Sequence, residues 1–484
     1  MEQNLKPLNA AEAFAACEGL WRDADARAQA RRLFDAAYAS FNACVMVLDD
    51  DPTGVQTVHD VTIVTNWTVE TLYRQFASGE KLFFVLTNSR SFSARKTEEV
   101  HREIAQNACE AAKMAGVELM LISRGDSTLR GHYPLETRVL RDTLEAQGTP
   151  PFAGEVLCPF FKEGGRFTMD GVHYVKEGEW LTPAAQTEFA GDKTFGYTHS
   201  ALSAYIREKS GDTILPEQIV TVTLRELRSL DLAAVERKLT AMRGYHYVAV
   251  DAAEETDVLL MATVLMRLRG KGKNYIIRSA AAVPKVFGNV TDRPLLRRDE
   301  MVEQGSEVGG LVLVGSHVKK TTAQLECLRQ SKLPMAFIEF HVDGWKTPDG
   351  LENETRRAVA LAEETMRAGR TAVVYTSRQL VLPRSATPEE LLGISVRISE
   401  AVTNVVATLS FRPRFLIAKG GITSSDVGTK ALRVERARVL GQAAPGVPVW
   451  QTGAESLFPN LSYIIFPGNV GGPSTLRDIV ETIA

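Results

Sequence analysis

Three acids stand in a row at Asp49, Asp50 and Asp51, followed by Pro52, Thr53 and Gly54. Carboxylates in such a turn can take a proton from a substrate hydroxyl or hold a divalent cation. Side by side they repel one another, so cationic or hydroxylic groups must face them. A second stretch, Ser123-Arg124-Gly125-Asp126-Ser127-Thr128-Leu129-Arg130-Gly131-His132, sets an acid and hydroxyls between two arginines. That set suits a polyhydroxy acid: arginine pairs with its carboxylate, and aspartate takes a hydroxyl. Asn88-Ser89-Arg90-Ser91 adds another guanidinium.

The second half offers a different chemistry. Lys419-Gly420-Gly421-Ile422-Thr423-Ser424-Ser425-Asp426 follows an apolar run, and its hydroxyl residues are expected to open a helix reaching about Leu440. Glycines let a ligand approach the backbone closely, and free N–H groups at a helix start bind phosphate. Gly315-Ser316-His317 and Pro467-Gly468-Asn469-Val470-Gly471-Gly472 also follow apolar runs. Three such turns in one half imply one nucleotide cleft assembled from strand ends. Neither G-x-x-x-x-G-K-[ST] nor G-x-G-x-x-G occurs, which disfavours P-loop NTPases, protein kinases and standard Rossmann dehydrogenases. The eight histidines show no metal-ligand spacing, so no metal site is assigned, and G-x-S-x-G is absent.

These turns need strands to carry them. Ala43–Leu48, Val61–Thr65, Leu82–Thr87, Leu119–Ser123, Glu155–Cys158 and Tyr247–Val250 read as strands, with helices over Thr97–Ala115, Leu135–Ala146 and Asp257–Leu268. A second series has strands Gly310–Val314, Met335–Glu339, Thr371–Thr376, Arg414–Ala418 and Tyr463–Phe466, with helices Ala358–Ala368 and Glu400–Leu409. The alternation predicts α/β: two α/β domains with largely parallel sheets and an interdomain active-site cleft. In such sheets ligands sit beyond the carboxyl ends of the strands. The expected organisation is a helical extension over 1–40, a first domain over 41–290, a linker over 291–308, and a second domain over 309–484.

Composition bounds the rest. The 484 residues include 56 Lys and Arg against 59 Asp and Glu, a formal net charge of −3. That balance argues against bulk nucleic-acid binding. There is no long apolar run for a membrane span and no apolar core of a secretory signal. Five widely spaced cysteines, without a C-x-x-C pair, fit a reduced protein, and a cytoplasmic location is expected.

Taken together, the turns resemble those of the four-carbon acid sugar kinases, a family long described only as a domain of unknown function. The resemblance rests on D-D-x-T-G at Asp50 to Gly54 and D-S-T-L-R-G at Asp126 to Gly131. Gly315-Ser316, G-G-x-T at Gly420 to Thr423, and Gly468-Asn469 follow in the same order. It implies an acid-sugar-binding N-terminal domain and an ATP-binding C-terminal domain. Carried over residue by residue, it places the sugar acid against Asp50 or Asp51, Arg90, Arg124, Asp126, Ser127, Thr128 and Arg130. ATP falls to Ser316, Gly420, Gly421, Ile422, Thr423 and Gly468. Arg124 stands where the family usually has lysine, and Pro52 replaces a bulky residue. The segment Phe160–Thr182, with Arg166 and His173, is expected on the substrate side.

The reaction implied is transfer of the γ-phosphate of Mg²⁺-bound ATP to the terminal hydroxyl of threonate, erythronate, a 3-oxo-tetronate or a branched relative such as 3-oxo-isoapionate. Asp51 or Asp126 would accept the proton, while Arg90, Arg130 or both hold the carboxylate. The alternatives are a non-catalytic protein binding the same ligands, which would form no ADP, and an NAD(P)-dependent sugar-acid dehydrogenase, which would bind NADH. Self-association is left open.

Overall fold

The computed structural model describes residues 5–303, 305–378, 388–468 and 470–484. Its strands, numbered along the chain, begin with β1 (Leu8–Asn9), β2 (Cys44–Asp49), β3 (Val61–Val64), β4 (Leu82–Leu86), β5 (Leu119–Arg124) and β6 (Phe152–Cys158). Then come β7 (Arg166–Met169), β8 (Val172–Glu177), β9 (Trp180–Pro183), β10 (Ile219–Val222), β11 (His246–Val250) and β12 (Asn274–Ser279). The later strands are β13 (Leu311–Val314), β14 (Met335–Phe340), β15 (Thr371–Thr376), β16 (Leu416–Lys419), β17 (Arg436–Ala444), β18 (Val447–Thr452) and β19 (Ser462–Phe466). The chain forms two compact units: Met1–Gly54 with Asn66–Thr291, and Val55–Thr65 with Asp292–Ala484.

In the first unit the strands run β10-β11-β6-β12-β5-β2-β4, each parallel to its neighbours. Every residue of β2 and β4 is buried, as a sheet covered on both faces requires. From β2 the chain crosses to β4 on one side and then to β5 on the other. That reversal makes the carboxyl ends of β2 and β5 the topological switch point, where open α/β sheets bind ligands. The turn Asp49–Gly54 and the loop Arg124–His132 leave from these two strands. A small antiparallel sheet, β1-β9-β8-β7, completes the unit.

Long helices cover the sheet. The helix Ala94–Ala115 starts where the Ser93 side chain accepts the Lys96 N–H at 3.3 Å and ends at Gly116 with φ +66. Between those caps Val100, Ile104, Ala108 and Ala111 form its buried stripe. Within the expected helical extension the helices are Ala10–Glu18 and Ala26–Ala39. They are tied down by buried charge. Arg228 pairs with Asp257 at 2.7 Å, donates to the Cys17 carbonyl and stacks 4.9 Å from the Trp21 ring.

In the second unit β14, β15, β13, β16 and β19 are parallel in that order. β18, β17 and β3 extend the sheet with antiparallel pairings. Here the reversal falls between β13 and β16, so the Gly315 and Gly420 turns occupy the switch point. Val312, Val314, Ile417, Ile464 and Phe466 form the core with Leu476 and Ile479 of the last helix. Leu296, Met301 and Val302 belong to the same core.

One sequence expectation fails here. The helix opened at Gly421 does not reach Leu440: it covers Gly421–Asp426, continues as a π-helical turn through Ala431, and gives way to β17. Arg433, at φ +54, breaks the helix, and the following residues alternate between exposed and buried positions as a strand requires. Among the described residues no helix is long and apolar enough to cross a membrane.

Candidate functional site

The first unit gathers its charged residues at the ends of β2, β4 and β5. Arg90, in the turn after β4, grips Asp50 with Nε at 3.0 Å and Nη2 at 2.6 Å, and reaches Asp51 with Nη1 at 3.2 Å. Arg124 donates to Asp49 at 3.1 Å and lies 3.5 Å from Asp50. Arg130 donates to Asp126 at 2.7 Å, and the Thr128 hydroxyl donates to the same oxygen. The repulsion expected among the acids is therefore answered by arginines from neighbouring loops.

Burial separates the roles open to these groups. The Asp49 and Asp50 side chains are 0% and 2% exposed, whereas Asp51 and Asp126 keep 22% and 12%. Only the latter two present a carboxylate that a ligand can reach. Asp49 lies against Gly54, where a methyl group would run into its carboxylate, so this turn requires glycine. Burial pushes Asp49 up to about 7 despite Arg124. Burial also acts to raise Asp51 and Asp126, but it is outweighed. Arg90 and the Thr53 bonds hold Asp51 below its ordinary value, and Arg90, Arg130 and Thr128 hold Asp126 well below it. Both accessible carboxylates are thus ionised at neutral pH.

The loop that carries Asp126 is held by its backbone carbonyls. Ser127 O faces His173 Nε2 at 2.8 Å, Thr128 O accepts from Tyr197 at 2.8 Å, and Leu129 O accepts from Tyr205 at 2.7 Å. Ser127 and Thr128 are buried, so their side chains shape the loop from within. Arg124 is also buried, with its charge directed at Asp49 and Asp50.

Sequence reasoning missed two residues behind this cluster. Arg278, at the end of β12, donates to Ser123 Oγ at 2.9 Å and pairs with Glu136, which also accepts from Ser89 at 2.6 Å. A methyl group at Gly125 or Gly131 would collide with the Arg278 guanidinium, so the two glycines flanking the loop answer to a residue about 150 positions away. The only signal was the apolar run Tyr275-Ile276-Ile277 ending in Arg278-Ser279.

The second unit builds its site chiefly from backbone turns and small hydroxyls, with Arg378 and Lys419 bracing the turns from behind. The turns after β13, β16 and β19 meet: a methyl group on Gly468 would lie 3.9 Å from Ser316 Oγ and 4.0 Å from the Gly421 nitrogen. One on Gly315 would strike Thr423 Oγ1, and Gly420 has φ +127, a conformation that side chains resist. Thr376 and Arg378 hold the first turn by donating to Gly315 O at 3.1 Å and Ser316 O at 2.8 Å. Lys419 donates to the Pro467 and Gly468 carbonyls, fixing the third turn. A cavity of about 280 Å³ opens beside them, lined by Ser316, Gly420, Gly421, Ile422 and Thr423 and walled by Val342, Ile398 and Val402. Glycine turns beside an apolar wall can receive a phosphorylated ligand with a flat base. Asn469, named with Gly468 from the sequence, lies outside the described residues.

Comparison with known proteins agrees with this division. No curated protein matches the sequence significantly. The fold is shared with a Haemophilus influenzae protein of the DUF1537 family, at 17% identity over 91% of this chain and 100% of that one, with TM-score 0.61. It is also shared with a Salmonella typhimurium LT2 protein provisionally described as a tRNA synthase, at 17% identity over 90% and 98% of the two chains, with TM-score 0.63. A sugar-binding N-terminal domain is matched over residues 45–286, half of the chain, and a nucleotide-binding C-terminal domain over 311–476. The chain belongs to the family that joins these two domains, a sugar-binding one followed by a nucleotide-binding one.

Proposed function

We propose that this protein is an ATP-dependent kinase that phosphorylates the terminal hydroxyl of a small sugar acid: threonate, erythronate, a 3-oxo-tetronate or a branched relative. One observation carries the reading. A sugar-binding domain with two accessible, ionised aspartates among arginines is joined in one chain to a nucleotide-binding domain with a glycine-turn pocket. A chain that binds a sugar and a nucleotide without a dinucleotide fingerprint is best accounted for by phosphoryl transfer.

In this mechanism ATP occupies the second unit. Backbone N–H groups of Gly421 to Thr423 face its phosphates, with Ser316 and Gly468 beside them, while the Gly420 N–H is spent on the Phe466 carbonyl at 2.9 Å. Among the described residues no group of three His, Cys, Asp or Glu could hold a metal ion. Nucleotide-borne Mg²⁺ needs none, because it keeps several waters and takes most other ligands from phosphate. The Ser316 and Thr423 hydroxyls could take a place on it, and its charge would neutralise that developing on the phosphates.

The sugar acid binds the first unit. Asp51 or Asp126 orients the primary hydroxyl and accepts its proton, and Arg130 faces the substrate carboxylate. A carboxylate held below its ordinary pKa is a weak base. Phosphoryl transfer asks little of a base before the bond to the leaving group loosens, so orientation outweighs basicity. Asp50 and Arg124 are too buried to touch the substrate and act by holding Arg90 and Asp49.

The test is ADP release from Mg-ATP with a panel of four-carbon and branched five-carbon sugar acids and their 3-oxo forms. Turnover on one member is the expected result. Nucleotide and sugar-acid binding without ADP formation would replace the kinase with a binding protein on the same scaffold.

A further inference from the structure

Of the arginines around the first-unit site, most are already committed. Arg90 holds Asp50 and Asp51, Arg124 holds Asp49, Arg278 holds Glu136, and Arg130 holds Asp126 and lies 3.7 Å from Asp192. Arg166 differs. It opens β7, beside the loop that carries Asp126. Its guanidinium carbon lies 5.4 Å from the centre of the Phe189 ring, and that of Arg130 lies 5.1 Å from the same ring. Among the described residues Arg166 makes no ion pair, and its buried Nε has no hydrogen-bond partner.

We propose that Arg166 is the specificity-determining residue for the substrate's carboxylate, forming with Arg130 a two-arginine clamp across Phe189. Two guanidinium groups on one ring repel each other, and Asp126 pairs directly with Arg130 while acting on Arg166 only through space. A half-buried cation without a direct ion-pair partner is costly, and an arriving carboxylate reduces that cost. The planar guanidinium fork matches the planar carboxylate in two parallel hydrogen bonds. Burial lowers the pKa of Arg166 while Asp126 raises it, so the electrostatic balance at this side chain also favours an added anion. Phe189 draws both guanidinium groups to one ring, and the Arg166 guanidinium, with no side-chain hydrogen bond among the described residues, keeps its donors for a ligand. The clamp therefore selects an acid over the corresponding polyol, and it rests on the reading that the first unit binds sugar acids.

The experiment is calorimetric titration of the whole protein, without ATP, with erythronate and threonate and with erythritol and threitol. Arg166→Gln is expected to weaken binding of the preferred acid about 10- to 100-fold, as loss of a charge-assisted hydrogen bond does. Tetritol affinity should change less than about twofold, and Arg166→Lys should recover part of the loss. The clamp is overturned if Arg166→Gln keeps the acid-to-tetritol ratio, if acid and tetritol binding fall together, or if the wild type binds no sugar acid. Kinase assays on the same proteins separate the two readings. ADP formation with an unchanged ratio in Arg166→Gln sinks the clamp alone. Selective acid binding that depends on Arg166, without ADP formation, keeps the clamp and removes the kinase.

Discussion

The two units place a site at the same point of the same kind of sheet, yet they build it from opposite materials. The first uses side chains: four aspartates and a ring of arginines, each fixed by its neighbours. The second uses the backbone: three glycine turns, small hydroxyls and one buried lysine. Under the proposed function the difference follows from the ligands. A small polyhydroxy acid is distinguished from its relatives by where its few polar groups stand, so fixed charges and forks are needed to read it. A triphosphate offers many equivalent oxygens, and close-lying N–H groups accept it without added charge. Specificity therefore costs the first unit buried ions, while the second needs conformational freedom at a few positions.

The largest effect should come from opening the charged network behind the first site. Arg278→Met leaves Glu136 buried beside Ser89 with its cation gone. Breaking a buried pair by removing one partner costs about 3–5 kcal/mol, and urea unfolding should show a loss of that order. Adding Glu136→Gln should restore part of it, since the stranded charge is then gone as well. In the second unit Ser316→Ala removes one exposed-edge hydroxyl contact and should change stability by about 1 kcal/mol or less. Equal losses in the two variants would erase the proposed distinction.

Catalysis is the next largest. Asp126→Asn should lower kcat about 10²-fold or more while leaving the KM for ATP near wild type. Near-wild-type turnover would move the role to Asp51, where Asp51→Asn should then show the loss. A Gly420→Ala variant probes the other unit. The φ of +127 resists a side chain, and a methyl group there would press on Ser316, so nucleotide affinity should fall roughly tenfold. Sugar-acid binding should be unchanged. A fall in both would mean that the sites are not separable by ligand.

The contrast also explains what the sequence disclosed. Parallel strands buried on both faces are apolar runs, and several were legible almost end to end: Thr371–Thr376 is observed as read, as is the helix Leu135–Ala146. The antiparallel strand β17 was not, because residues such as Arg436 and Arg438 alternate with buried Ala437 and Val439 and look amphipathic. In the first site, Asp51, Arg90, Asp126 and Arg130 sit in motifs directly after strands, so their meeting could be anticipated. Arg278 and Glu136 carry no motif, and their pairing exists only once β12 lies beside β5. Glycines pointed to close approach at Gly125 and Gly131, but not to the partner. Asp49 is the converse: its place in an acidic turn invited a catalytic reading, and only burial shows that it faces inward.

The smallest effects concern pH, and the two units should respond in opposite windows. In the first, Glu155 is buried and pushed up to about 7 from an ordinary 4.5, chiefly by burial. A carboxyl group raised on folding binds its proton more tightly in the folded chain. Its contribution is therefore complete below about pH 4.5 and is lost as pH rises toward 7. In the second, Lys419 is buried with its ammonium over the Phe466 ring at 3.9 Å, and burial brings it down to about 7 from 10.5, with Lys320 adding to the shift. Here the unfolded chain holds the proton more tightly, so stability should rise as pH climbs from about 7 to 10.5. Each group changes the slope by at most about 1.4 kcal/mol per pH unit. Glu155→Gln should reduce the slope in the acidic window, which Asp49 and Asp251 share, without touching the alkaline one, and Lys419→Met should reduce the alkaline slope without touching the acidic one, measured as urea midpoints at intervals from pH 5 to 10. If Lys419→Met leaves the alkaline slope intact, the lysine is still charged in the folded protein. The Pro467 and Gly468 carbonyls and the Phe466 ring would then be stabilising an ammonium ion at the edge of the nucleotide pocket, and the second unit would hold buried charge at its site as the first does.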